Sequence, residues 1–168
     1  ALKNESEDVT VENCTLANNA KAVFCLGSKP FALVNTAVFG STIRDLHQTS
    51  DAGAGISFTN CYFDTTAPRH SDDIASRPST GCVFSDSAGF NDPASGDFSL
   101  RRKSSLRDAG LRLDWMDHAK DLAGKPRLLD SSGFHVANAL PDIGCYEYAP
   151  RNLGFSIIDY SIRKHKTE

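Results

Sequence analysis

The chain has 168 residues, 40% of them hydrophobic, and a formal net charge of −3. That is enough apolar material for one cored domain and argues against wholesale disorder. Lys and Arg are scattered apart from one run near the end, Arg163-Lys164-His165-Lys166, so a nucleic-acid partner, which needs a basic face or stripe, is disfavoured. No apolar stretch approaches the roughly 20 residues of a membrane span.

The first residues, Ala1 to Asp8, are polar and acidic and are not a signal peptide. A hydrophobic repeat begins directly at Val9, which predicts either further sequence upstream or a chain that stacks on something. Three segments share the repeat: Val9-Thr10-Val11-Glu12-Asn13-Cys14-Thr15-Leu16, Phe31-Ala32-Leu33-Val34-Asn35-Thr36-Ala37-Val38, and Ile56-Ser57-Phe58-Thr59-Asn60-Cys61-Tyr62-Phe63. Their asparagines are separated by about 22 and about 25 residues, a solenoid period. Aligned, they give three apolar columns: Val9, Phe31, Ile56; then Val11, Leu33, Phe58; then Leu16, Val38, Phe63. The alternation of apolar and polar residues is that of a strand with one buried face. It breaks at the asparagine and resumes one residue later, as a one-residue corner requires. Asn tolerates the left-handed conformation of such a corner, and Asn13, Asn35 and Asn60 are expected to form a hydrogen-bonded ladder one coil apart. Three unrelated strands of a β-sandwich are the competing reading, but a sandwich has no reason to repeat one residue at one offset.

Between these segments, Ala22-Val23-Phe24-Cys25-Leu26 reads as a strand opening the next coil, and Gly27-Ser28-Lys29-Pro30 and Ser50 to Gly55 as turns. Gly81-Cys82-Val83-Phe84 reads as a fourth, shortened coil. The five cysteines form no C-x-x-C and fit no zinc spacing; each lies among apolar residues and is expected to be a buried free thiol. The expected organisation is β-helix coils over residues 1–84, a capping module over 85–150, and a tail over 151–168 that packs on the cap.

The second half carries two phrases. One is Phe90-Asn91-Asp92-Pro93-Ala94-Ser95-Gly96-Asp97-Phe98-Ser99-Leu100, continuing to Ser104-Ser105-Leu106-Arg107-Asp108-Ala109-Gly110. The other is Asp121-Leu122-Ala123-Gly124-Lys125-Pro126-Arg127 with Pro141-Asp142-Ile143-Gly144-Cys145-Tyr146-Glu147-Tyr148. Together they resemble the C-terminal module of bacterial parallel β-helix proteins of the choice-of-anchor Q type, in the pectate-lyase-like superfamily. The resemblance covers about residues 84 to 149. Two departures are Ser104-Ser105-Leu106-Arg107-Asp108, where S-P-x-I-D is usual, and Cys145, where Ala is usual. It implies an all-β, right-handed parallel β-helix, three to four terminal coils with a cap, exported and held at a bacterial surface. It does not imply one enzymatic activity.

No nucleophile elbow, phosphate loop, zinc-protease or dinucleotide motif is present. Three polar clusters remain. Arg44, Asp45 and His47 are read as a loop after the second coil, and Arg69, His70, Asp72 and Asp73 as a long loop after the third. Successive coils place such loops side by side, so the two groups are candidate glycan contacts along one groove. The third cluster, Asp114, Trp115, Asp117 and His118, reads as a helix crossing the cap with Trp115 buried. Asp92 and Asp97 flank Gly96 and are either turn caps or a calcium site built from oxygen ligands; no other cofactor is expected. Arg127 is expected to pair with Asp142 or Glu147 beneath the cap. The expected function is a non-catalytic extracellular module that binds glycans or serves as a structural element. The alternatives are the terminal part of a polysaccharide lyase or glycoside hydrolase, and a subunit that self-assembles through the open N-terminal end of the helix.

Overall fold

The computed structural model describes residues 1–5, 8–26, 28–49, 55–66, 74, 77–129 and 138–150. The repeat forms three parallel sheets. Sheet A consists of β1 (Leu2–Asn4), β4 (Lys21–Cys25) and β7 (Arg44–Gln48). Sheet B consists of β2 (Val9–Glu12), β5 (Phe31–Val34), β8 (Ile56–Thr59) and β10 (Ser79–Thr80). Sheet C consists of β3 (Thr15–Ala17), β6 (Ala37–Phe39), β9 (Tyr62–Asp64) and β11 (Val83–Ser85). The chain visits the sheets in the order A, B, C and repeats, so each circuit is one coil of a β-solenoid about three turns long.

The strand register reproduces the sequence columns. Val9 pairs with Phe31 and Phe31 with Ile56; Val11 with Leu33 and Leu33 with Phe58; Leu16 with Val38 and Val38 with Phe63. A one-residue slip would turn every one of these side chains outward, so the buried face fixes the register. Sheet A adds a fourth column, Leu2, Val23 and Leu46. Phe31, Leu33, Phe58, Phe63 and Leu46 are all at most 2% exposed. At about 25 cal/mol per Å² of apolar surface, each contributes on the order of 2 kcal/mol. All five cysteines are free; Cys25 and Cys61 are buried, and Cys14, Cys82 and Cys145 partly so.

The corners between sheets B and C are left-handed. Asn13, Asn35 and Asn60 have φ of 50°, 49° and 47°, and Gly81 takes the fourth corner with φ of 65°. Glycine is required there for a second reason: a Cβ on Gly81 would meet the Asn60 side-chain amide at 2.9 Å. The asparagines do not form the expected ladder with one another. Asn35 donates to the Leu111 carbonyl at 2.7 Å and accepts from the Leu111 N–H at 2.6 Å, while Asn60 donates to the Ala109 carbonyl at 2.8 Å. The segment around Ala109 and Leu111 meets Asn35 with both a donor and an acceptor, and the Leu111 backbone groups are themselves paired by it.

That segment belongs to the second half of the chain. A hairpin, β12 (Phe90–Asp92) with β13 (Asp97–Leu100), is followed by turns and a 3₁₀ helix at Asp114–His118. Residues 109–111 and 143–145 lie along the corner column. Gly144 N–H donates to the Asn35 carbonyl at 2.8 Å and Cys145 N–H to Thr15 Oγ1 at 3.2 Å. Ala37 and Tyr62 of the coils share a second core cluster with Phe90, Leu100, Leu106 and Ile143. The module therefore runs up the flank of the solenoid, clasping three successive coils.

Candidate functional site

Sheet A carries a face where ring and cationic side chains stack. In a parallel sheet, residues at one register position lie one above another on the same face. Lys3, Phe24 and His47 occupy such a position, as do Lys21 and Arg44. The Phe24 and His47 rings are stacked, with centroids 4.6 Å apart and planes 15° from parallel. Lys21 Nζ sits over the Phe24 ring, 4.9 Å from its centroid, a favourable cation–π position. Lys3 pairs with Glu5 at 2.5 Å. The His47 imidazole is held below its ordinary pKa, by loss of solvation and then by the positive charges of Lys21 and Arg44. The ring therefore registers a positive field over this face. Replacing Lys21 by Gln removes one of those charges and will shift the His47 titration upward, measured from its imidazole C–H resonances against pH; an unchanged midpoint would show that the field has another origin.

Arg44 and His47 come from strand β7, not from a loop. The strand was hidden in the sequence because Arg44-Asp45-Leu46-His47-Gln48 is mostly polar, and only its pairing with β4 makes it a strand. Asp45 is 1% exposed, so it does not face a ligand on this surface. Phe24 and Lys21 were not singled out by residue type; the signal that would have found them is Phe24 breaking the apolar-inward alternation of β4. Arg69, His70, Asp72 and Asp73 lie outside the described residues.

The acidic turn of the hairpin is engaged internally. Asp92 Oδ1 accepts from Ser95 N–H at 3.4 Å, and Asp97 Oδ1 accepts from Ser99 N–H at 3.0 Å, so both carboxylates cap turns. Among the described residues no group of three His, Cys, Asp or Glu side chains converges as metal ligands. Around the 3₁₀ helix the expected burial is reversed. Met116 is fully buried, whereas Trp115 is 48% exposed and donates its indole N–H to Glu12 at 2.8 Å. A 3₁₀ helix has three residues per turn, so a single apolar side chain anchors its short inner face. Asp117 pairs with Arg112 at 2.5 Å.

The second polar constellation is buried beneath the flank module. Arg127 Nη1 donates to Glu147 Oε1 at 3.1 Å and to the Gly144 carbonyl at 3.0 Å; Nη2 reaches the Cys145 carbonyl at 3.4 Å and the Asn13 carbonyl at 3.5 Å. Arg127 thus joins the module to the first corner. Asp142 instead accepts backbone N–H groups from Asp108 at 2.7 Å and Tyr148 at 2.5 Å. Asp121, which residue type alone did not mark, accepts from the Ala123, Lys125 and Glu147 amides at 2.9, 2.8 and 2.8 Å. Burial pushes Glu147 up to about 8, with the neighbouring Asp142 adding to the rise against the pull of Arg127. Burial likewise pushes Asp142 up to about 6, against the pull of the two amides it accepts from. These groups are enclosed by their own fold and serve as its clasp.

No protein-family model, no curated protein and no solved structure matches the chain.

Proposed function

We propose that this chain is an exported, bacterial-surface β-helix module of the choice-of-anchor Q kind that binds acidic glycans along the outer face of sheet A without turning them over. The observation that carries this reading is the stacked Phe24–His47 pair, with Lys21 over the Phe24 ring and the charge of Arg44 acting on His47. Stacked coils space side chains about 4.8 Å apart along the solenoid axis, a regular array suited to an extended polymer rather than a compact ligand. Aromatic edges offer apolar surface to a sugar ring, and the lysine and arginine offer charge to uronate carboxylates. The phrases at residues 90–110 and 121–148 support the assignment to an exported surface protein.

The test is isothermal titration with polygalacturonate, alginate and a neutral glucan, alongside absorbance near the unsaturated-uronate band. Saturable binding to at least one polyuronate is expected, weakening with salt as exposed charge pairs do. A tenfold or greater loss is expected in a Lys21→Gln, Arg44→Gln double variant, with a flat absorbance trace. Binding that ignores both substitutions would remove sheet A from the reading, and rising absorbance would replace a binding module by a lyase.

A further inference from the structure

A second concavity lies in the flank module, away from sheet A. It is a cavity of about 450 Å³ between the β12–β13 hairpin and the end of the described chain, and Asn91, Arg101, Arg102, Lys125 and Tyr148 line it together with the acidic Asp97 and Glu147. Its volume falls within the range of small-molecule sites. Three cations converging on one concave wall stand out in a chain whose formal net charge is −3.

The wall is held in place. Arg101 donates from Nη2 to the Asn91 carbonyl at 2.7 Å, which orients its guanidinium across the hairpin. Arg107 stacks behind, its guanidinium carbon 4.0 Å from the centroid of the Tyr148 ring. It also donates to the Arg102 carbonyl at 2.5 Å. Arg107 therefore fixes the Tyr148 side and the Arg102 side together and adds a fourth positive charge to the rear.

The acidic groups at the cavity are already engaged. Asp97 accepts from Ser99 in its turn, and Glu147 is bonded to Arg127 beneath the floor. Burial and Asp142 also favour the protonated form of Glu147. Neither Arg102 nor Lys125 has a carboxylate partner among the described residues. Guanidinium and ammonium groups arranged this way recognise oxyanions, the guanidinium through paired N–H donors.

We propose that this cavity is a binding site for a doubly charged tetrahedral oxyanion, phosphate or sulfate, free or as the ester head of a small polar molecule. Arg101, Arg102 and Lys125 hold the oxyanion. Asn91 faces the remaining volume, which exceeds that of a bare ion and leaves room for a sugar-sized group. The Asn91 amide donates to Ser99 Oγ at 2.9 Å, and its carbonyl oxygen is the acceptor for a ligand hydroxyl. This site is independent of the glycan reading, since it shares no residue with sheet A.

The experiment is an amide NMR titration of the full chain at constant ionic strength with inorganic phosphate, sulfate, glucose 6-phosphate and glucose. Saturable shifts centred on Arg101, Arg102, Lys125 and Tyr148 are expected with the anions and not with glucose. An Arg102→Gln, Lys125→Gln double variant, altering one exposed and one half-buried side chain, is expected to keep the native spectrum and bind at least tenfold more weakly. Lys21→Gln is expected to bind as the parent does. Tighter binding of glucose 6-phosphate than of inorganic phosphate would assign an ester ligand, and equal binding the free ion; both support the site. Linear shifts that never saturate, or binding that persists in the double variant, would overturn it.

Discussion

An Arg127→Met variant is expected to unfold about 3–5 kcal/mol more readily than the parent in urea, the cost of leaving several buried acceptors without their donor. Arg127 and Glu147 are 6% and 2% exposed, so water does not replace what is lost. Methionine keeps most of the volume but leaves Glu147 Oε1 and the Gly144, Cys145 and Asn13 carbonyls without their donor. The Asn13 contact bridges the module and the first corner, so the loss is expected to detach the flank as well as weaken it. The pH dependence has a definite sign. Glu147 and Asp142 titrate near 8 and 6 in the fold, against ordinary values of 4.5 and 3.8. The native state therefore holds protons that the unfolded state has released. Their contribution is fully present below about pH 4 and fades as pH rises through 6 to 8. Each excess proton changes stability by at most about 1.4 kcal/mol per pH unit. Glu147→Gln keeps the shape and one hydrogen-bonding oxygen while removing the titration, so its stability is expected to fall less than the parent's between pH 5 and pH 8. Parallel slopes for the two proteins would mean that Glu147 is ionised throughout.

The solenoid was legible because its signal is periodic. Val9, Phe31 and Ile56 advertise one column by type and spacing, and the register places them at one level. Asn13, Asn35 and Asn60 advertised the corners for a local reason, the tolerance of Asn for positive φ. Sheet A was less legible: β7 pairs through its backbone while its side chains are Arg44, Asp45, His47 and Gln48 around a single apolar residue, Leu46. The same blindness applied to the site, because Phe24 and His47 are 23 residues apart and become neighbours only through that pairing. The second half was read as a separate module from its phrases, and those phrases do not announce where it lies against the coils. A capping module over residues 85–150 was expected, since a solenoid end exposes strand edges. Part of what attaches the module is backbone amides and carbonyls at Ala109, Leu111 and Gly144, which no side-chain pattern announces.

The corner asparagines allow the clasp to be separated from the corner itself. Asn35 is fully buried, sits at φ of 49°, and holds both the N–H and the carbonyl of Leu111. Asn13 has nearly the same φ, 50°, but its side-chain amide has no hydrogen-bond partner among the described residues. Substitution by glycine accommodates the left-handed backbone at either site, so the difference between the two variants isolates the side-chain bonds. Losing two hydrogen bonds and leaving two backbone groups of Leu111 unpaired is expected to make Asn35→Gly about 2–4 kcal/mol less stable than the parent. Asn13→Gly has no such bonds to lose and is expected to stay within about 1 kcal/mol, the extra freedom of glycine in the unfolded chain being its main cost. Asn35→Ala adds a Cβ to the same left-handed corner and is expected to fall a further 1 kcal/mol or so. Urea unfolding followed by tryptophan fluorescence suits the measurement, because Trp115 lies on the module and bonds to Glu12 of the first coil. If Asn13→Gly and Asn35→Gly cost the same, the asparagines matter as corners alone. If Asn35→Gly costs several-fold more, the corner column is what fastens the second half of this chain to the first.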